Sequence, residues 1–384
     1  MLALMLVSSK IPFNRPYVTG REAQYVQDAL TGGHHAGDGP FTKRCHAWLE
    51  QHLKAQKVLL TTSCTHALEM TALLLELTAG DEVIVPSFTF VSTANAYALR
   101  GAKLVFCDIR ADTLNLDETK LEQLITPRTK AIVPVHYGGV GCEMEAILKT
   151  AQRHGVHVIE DNAHGLFGTY RGKPLGSFGA LATQSFHETK NVSCGEGGAL
   201  VVNDRRFVER AEILREKGTD RSRFFRGQVD KYTWVDLGSS YLPADLLAAV
   251  LWAQLEASAE IQRKRRNIWM YYAERLREWA AQRGYGLPVV PEHCEQAWHL
   301  FYLLLPDLAT RQAFLEQLKE RGIQAAFHYL PLHLSAMGRR FGSKPGACPV
   351  AERTSDCMAR LPFYTGMEER DLERVVGCVK AFHG

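Results

Sequence analysis

Between Lys57 and Asn203, short runs rich in Val, Ile, Leu and Ala alternate with stretches of helical periodicity, and this alternation constrains the fold more than any other feature. The runs are Val58-Leu59-Leu60, Glu82 to Val85, Leu104-Val105-Phe106, Ala131 to Val135, Val156 to Glu160, Ala182 to Phe186 and Ala199 to Val202. Each is too short for a helix. Between them Thr65 to Leu77, Met144 to His154 and Arg206 to Lys217 carry apolar residues three and four apart. Such alternation specifies an α/β domain with a largely parallel sheet, since parallel neighbours need a long crossover. Ligands of open α/β sheets gather beyond the carboxyl ends of the strands, so the residues just after each run are where chemistry is expected.

Asp245 to Arg283 contains neither Pro nor Gly and reads as one long helix, with the run Arg263-Lys264-Arg265-Arg266 on a solvated face. Past Gly284-Tyr285-Gly286 and Pro288, Pro291 and Pro306, the pattern changes to strand, helix, strand and then helices. The expected organisation is an N-terminal extension over 1–10, a large cofactor-binding domain over 11–255, and a linking helix with a smaller α+β domain over 256–384.

Composition narrows the class of partner. The 384 residues are 46% hydrophobic and 23% charged, as in ordinary globular proteins, and 45 Lys+Arg against 42 Asp+Glu leave a net charge of +3. A near-neutral chain predicts no nucleic-acid partner. Nine cysteines, an odd number with no C-x-x-C pair, argue against a disulfide framework and point to a reducing, cytoplasmic setting. The apolar start Met1 to Val7 is far shorter than the ~20 residues of a spanning helix, so no membrane association is expected. Adjacent His34 and His35 lack metal-ligand spacing, and no metal is assigned.

The informative motifs are Glu160-Asp161-Asn162-Ala163-His164 and Ser185-Phe186-His187-Glu188-Thr189-Lys190-Asn191, each following a strand run. Taken singly, a strand-end Asp and a loop Lys are ordinary. Neighbouring strands would bring Asp161 and Lys190 to one sheet mouth, and a carboxylate with an amine there suits pyridoxal 5′-phosphate (PLP). That cofactor needs an amine for imine formation and an anion to keep its ring nitrogen protonated. Lys190 would hold it and, once released, act as a base. Thr61-Thr62-Ser63-Cys64-Thr65, between a strand and a helix, offers hydroxyls and N–H groups for a phosphate, or simply an N-cap. No P-loop is present, and Gly37-Asp38-Gly39-Pro40 lacks the strand-turn-helix setting of a dinucleotide site, which argues against an NAD-linked dehydrogenase.

From Ile11 to the C-terminus the chain resembles the DegT/DnrJ/EryC1/StrS sugar-nucleotide aminotransferases. The motifs carrying the resemblance are Ser63-Cys64-Thr65, Pro86-Ser87-Phe88-Thr89-Phe90 and the two above, in family order. It implies PLP fold type I, aspartate aminotransferase-like, with a large mixed, mostly parallel sheet and a smaller C-terminal α+β domain. It also implies Lys190 as the Schiff-base lysine, Asp161 as partner of the pyridine nitrogen, His164 at the phenolic oxygen and Phe90 stacked on the ring. Phosphate contacts would fall to Cys64, Thr65, His66 and Ser185, with Ser240 reaching the cofactor phosphate of a neighbouring subunit in a homodimer with shared sites. Family members more often carry Asn at 240 and Gln at 164; Ser and His keep hydrogen-bonding capacity there.

Phe224 to Trp234 and Gly238 to Leu242 resemble the family's dTDP-4-amino-4,6-dideoxygalactose transaminases. That likeness implies transfer of an amino group from glutamate to C4 of dTDP-4-keto-6-deoxyglucose. Arg226, Lys231, Tyr232, His328 and Tyr329 are the implied substrate contacts. The alternatives are other regiochemistry, a gluco product, or a sugar-nucleotide-binding homologue that has lost catalysis. A sugar dehydratase, which replaces the lysine by histidine, is disfavoured by Lys190.

Overall fold

The computed structural model describes residues 10–383, so the expected extension over 1–10 lies outside the described residues except for Lys10. Five strands come first: β1 (Lys57–Thr61), β2 (Glu82–Pro86), β3 (Lys103–Cys107), β4 (Thr129–Ile132) and β5 (His157–Asp161). The short strands β6 (Thr169–Tyr170) and β7 (Lys173–Pro174) precede β8 (Leu181–Ser185) and β9 (Gly198–Val202). One sheet of seven strands has the order β1-β9-β8-β5-β4-β2-β3. Every neighbour pair from β8 to β3 is parallel, while β9 runs antiparallel to both β1 and β8.

This one reversal matters for the site. Antiparallel neighbours can be joined directly without a crossover helix. The β8–β9 connection therefore stays at the carboxyl end of β8, where it carries Lys190, and the parallel register sets Asp161 of β5 beside Thr183 of β8.

Alternate residues feed two cores, as the two-residue period of a strand requires. Leu59, Val83, Val85, Leu104, Ile159 and Leu200 pack beneath the helices Cys64–Leu74 and Val91–Ala98. Val58, Leu60, Ala199 and Val201 pack on the other face with Pro40–Leu53 and Asp245–Glu256. A separate C-terminal core joins Ile268, Tyr272 and Leu276 to Phe301, Phe314, Val375 and Val379, around β11 (Tyr302–Leu304) and β12 (Met358–Arg360), while β10 (Cys294–Glu295) pairs with β6.

Four expectations change. The run Ala131 to Val135 is a strand only to Ile132; Pro134 lacks an N–H, and Val135 makes an isolated bridge to Asp161. The long helix breaks at Ala257 into Asp245–Glu256, packed on the sheet, and Ser258–Arg283, packed in the C-terminal core; the break falls beside the expected boundary at 255/256. Arg265 is buried rather than solvated, because helical periodicity aligns it with Ile261, Ile268 and Tyr272, and it donates to the carbonyls of Trp298 and His299. Ile11, numbered with the large domain, pairs with Ile323 and sits in the C-terminal core. No helix among the described residues is long and apolar enough to cross a membrane.

Candidate active site

A cavity of about 610 Å³ opens at the carboxyl ends of the strands. Ser63, Cys64 and Thr65 follow β1, Phe90 and Thr93 follow β2, Asp161 ends β5, and Ser185 and Lys190 lie at and beyond the end of β8; Phe13, His299, His328, Tyr329 and Arg360 close it from the C-terminal side.

Asp161 is 4% exposed and fully engaged on one side. Oδ2 accepts from Thr93 Oγ1 at 2.7 Å, and Oδ1 accepts from the Ala163 N–H at 3.1 Å. Each carboxylate oxygen thus accepts a hydrogen bond, and the pair fixes the orientation of the side chain. Burial pulls the Lys190 ammonium down to about 8; Cys64 and Asp161 oppose that shift and Arg360 adds to it. The amine is thus partly neutral near neutral pH, as a nucleophile requires. Burial and Asp161 push the Cys64 thiol up to about 12, which keeps it an uncharged neighbour.

The helix Cys64–Leu74 starts at the cavity. Its N-cap Ser63 accepts the His66 N–H through Oγ, while the Cys64 and Thr65 N–H groups belong to the first turn, which has no intrahelical acceptors. Gly198 lies flat against this turn, and a Cβ there would drive into Cys64 N and the Ser63 carbonyl carbon. Only glycine leaves room at this close approach of β9 to the helix start.

Hydrogen bonds fix the tautomers of two buried histidines. Gly138 N–H donates to His164 Nδ1 at 3.4 Å, so the proton of neutral His164 resides on Nε2. Burial first, then Lys190 and Arg360, drive His164 well below the ordinary histidine range, so it stays neutral. His299 Nδ1 bonds Asn191 Oδ1 at 2.9 Å; Asn191 uses its amide N–H on the Ala297 carbonyl, so His299 Nδ1 is the donor. The His299 ring stacks on His164 at 4.3 Å. His299 is therefore more than a satisfied core residue, since it lines the cavity and supports the ring of His164.

Cys64, Thr65, Phe90, Asp161, His164, Ser185, Lys190, His328 and Tyr329 converge on this cavity. The other sequence-derived positions do not. The His66 side chain turns away to Thr62 Oγ1 and the Tyr241 ring, because its place one turn into the helix points it along the outer face. Ser240 is exposed and bridges to Glu216. Arg226 is held at the surface by Glu212 and Gln228, Lys231 is exposed, and Tyr232 packs on Phe224. Sequence reasoning missed Thr93, Phe13 and Arg360, none of which stands in a recognisable motif; the hydroxyl of Thr93 one turn beyond Phe90 was the only available signal.

The residues present fit PLP: N–H donors at a helix start with a glycine pressed against them for a phosphate, a carboxylate oriented by two hydrogen bonds for a ring nitrogen, a neutral imidazole N–H and a partly neutral amine. The comparisons agree. The model of the DegT/DnrJ/EryC1/StrS aminotransferase family matches residues 16–380. The chain is 33% identical over 380 residues, 96% of each chain, to the spore coat polysaccharide biosynthesis protein SpsC of Bacillus subtilis. Among solved structures it is similar to the aminotransferase TlmJ from Streptoalloteichus hindustanus, with 30% identity, a TM-score of 0.89, and 97% of this chain and 98% of that one covered. Spr1654 from Streptococcus pneumoniae in its PLP form matches at 27% identity and a TM-score of 0.89, over 97% and 98% of the two chains.

Proposed function

The chain belongs to the DegT/DnrJ/EryC1/StrS aminotransferase family and is a PLP-dependent sugar aminotransferase; from that premise we propose that it moves the amino group of glutamate to C4 of dTDP-4-keto-6-deoxyglucose. The product is a dTDP-4-amino-4,6-dideoxyhexose, of galacto configuration by the likeness of Phe224 to Trp234 and Gly238 to Leu242, made in the cytoplasm. The observation that carries the reading is the convergence of Asp161 and Lys190 on one cavity.

When bound, PLP supplies the electron sink for the bonds broken at the donor carbon. The chain's own groups do the rest. Asp161, oriented by Thr93 and Ala163, would meet the ring nitrogen and favour its protonated form. Lys190 Nζ would hold the cofactor and, as a partly neutral amine, would accept the proton from the donor Cα and deliver one to C4 of the sugar. His164 would offer its Nε2–H to the phenolic oxygen, and a neutral ring would make that a donation without an added charge. Cys64, Thr65 and Ser185 would hold the phosphate, Phe90 would stack on the ring, and His328 and Tyr329 would contact the sugar, all of them lining the cavity.

Arg226, Lys231, Tyr232 and Ser240 lie outside their own chain's cavity and serve that of a second subunit in a homodimer. Large exposed side chains on the same segment support this, with Phe225 71% and Trp234 75% exposed, since such apolar surface marks an interaction site.

Incubation with dTDP-4-keto-6-deoxyglucose and glutamate, with NMR of the product, tests the assignment. A 4-amino-4,6-dideoxy sugar with an axial C4 nitrogen is expected; an equatorial nitrogen would replace galacto by gluco, and a 3-amino product would overturn the regiochemistry. Lys190→Ala is expected to stay folded, lose the borohydride-sensitive absorbance and lose turnover. Undiminished turnover in that variant would falsify the role of Lys190.

A further inference from the structure

Ser87 and His333 are fully buried, and neither lines the cavity. Ser87 Oγ lies 2.5 Å from His333 Nδ1, and His333 Nε2 lies 2.9 Å from Glu352 Oε1, which also accepts the Gly346 N–H at 2.8 Å. Burial works against the Glu352 carboxylate, but the bonds from His333 and Gly346 outweigh it and hold the group below its ordinary range. The proton on Nε2 is therefore donated to the carboxylate. Nδ1 keeps its bond to Ser87 in either charge state of the ring, accepting the hydroxyl proton when neutral and donating to the oxygen when charged.

Serine, histidine and carboxylate in this order resemble a nucleophile with its base. Burial rules that use out, because no substrate carbonyl reaches a hydroxyl without exposed surface. The three groups instead join segments that form two walls of the cavity. Ser87 follows β2 directly and leads into Phe88-Thr89-Phe90, while His333 closes the segment that begins at His328 and Tyr329. A second bond runs beside the first, from the Leu332 N–H to the Ser87 carbonyl at 2.8 Å. Glu352 sits on the helix Pro349–Cys357, whose Val350 and Ala351 N–H groups donate to Asp108 just after β3 at 3.0 and 2.9 Å, so the carboxylate end is itself anchored to the sheet.

Phe90 and Tyr329 both line the cavity, their ring centres 6.4 Å apart, and the Phe88 ring braces Tyr329 at 5.6 Å. Phe90 is 57% exposed, so its place depends on the backbone leading to it rather than on packing of its own ring. We propose that His333 is a positioning residue of the cavity, clamping the Phe90 wall to the Tyr329 wall and so fixing the slot that takes the cofactor ring. The proposal rests on the PLP reading above and is independent of which sugar is the substrate.

The test compares His333→Leu, Ser87→Ala and His333→Gln by equilibrium dialysis of PLP, by the absorbance of the loaded protein, and by hydrogen exchange of the apoprotein. His333→Leu is expected to weaken PLP about tenfold, the worth of one displaced aromatic contact, to shift the absorbance maximum, and to speed exchange over residues 88–93 and 328–332 together. Ser87→Ala deletes only the hydroxyl; it should move all three readouts in the same direction and decides the matter should the leucine variant not fold. His333→Gln keeps a donor and an acceptor and should return PLP affinity to within about threefold of wild type. A positioning role also requires the loss in His333→Leu to disappear when Phe90 is already leucine, because the two changes then share one cause. Wild-type PLP affinity and absorbance in the leucine and alanine variants, with only stability lowered, overturn the proposal, as does a loss undiminished in the Phe90→Leu background. A glutamine variant as weak as the leucine one also overturns it, by giving the effect to ring packing. Coupled faster exchange of the two segments, in a protein whose wild type takes up no PLP, would leave the clamp standing and sink the PLP reading instead.

Discussion

Thr93 Oγ1 donates to Asp161 Oδ2 at 2.7 Å, joining the helix after β2 to the end of β5 across the intervening β4. With its one proton given to the carboxylate, Thr93 Oγ1 accepts from Thr89 Oγ1 at 2.9 Å. Thr93→Val keeps the shape of the side chain and removes the donor. Hydrogen bonds to charged groups contribute about 1.5–3 kcal/mol, so a loss of about 2 kcal/mol in cofactor affinity or stability is expected. Equilibrium dialysis of PLP and urea unfolding of the apoprotein would divide that loss between the two. No change in either would show that the contact does not hold the carboxylate.

The buried Lys190 amine makes the stability of the apoprotein depend on pH in a definite direction. Its folded pKa of about 8 lies below the ordinary 10.5, so the folded state disfavours the charged form. The penalty is complete below pH 8 and fades as pH rises toward 10.5, where the unfolded lysine also loses its proton. The stability of wild type relative to Lys190→Met should therefore rise across this window, by on the order of 3 kcal/mol. Taking the difference between the two proteins cancels the buried tyrosines and cysteines, which titrate in the opposite sense. A flat difference curve from urea titrations at pH 7.5 to 10.5 would refute the depressed pKa.

Gly198→Ala adds one methyl group where β9 meets Ser63 and Cys64. The neighbours are backbone atoms, which cannot swing aside as a flexible side chain would. Overpacking is expected to cost about 1–3 kcal/mol in stability, and displacement of the helix start should weaken inorganic phosphate and PLP binding together. An apoprotein that retained wild-type affinity for both would remove the helix start from the phosphate site.

His164 separates hydrogen bonding from mere packing. His164→Gln keeps an N–H donor and should preserve a borohydride-sensitive chromophore with a nearly unchanged pH profile. His164→Leu keeps bulk without a donor and should shift the pH midpoint of that absorbance, with kcat lowered about tenfold or more. Identical spectra for the two variants would mean that Nε2–H has no partner in the holoenzyme.

How far the sequence reaches can be seen in particular residues. Asp161 and Lys190 are legible because each follows its strand immediately, and strand ends are where an open α/β sheet exposes side chains to a ligand. Cys64 and Thr65 are legible as the first turn of a helix. The His66 side chain turns to Thr62 and Tyr241 instead of the cavity, and adjacency in sequence does not say which way a helical side chain turns. Arg226, Lys231, Tyr232 and Ser240 resemble family segments, yet they lie far from this chain's own cavity, and only the fold reveals that distance. The single long helix expected from Asp245 to Arg283 failed because its two halves pack in different cores, a tertiary demand with no Pro or Gly to announce it.

The α/β class, the series of short strands and the positions of Asp161 and Lys190 just after two of them were therefore determined by the sequence itself, because hydrophobic period and position after a strand are local properties of the chain. The tertiary structure alone decided that Thr93 supports Asp161, that His164 and His299 carry their protons on different nitrogens, and that His333 joins Ser87 to Glu352. Those features depend on which donor meets which acceptor across segments brought together by packing, and no local pattern of residue types encodes that meeting.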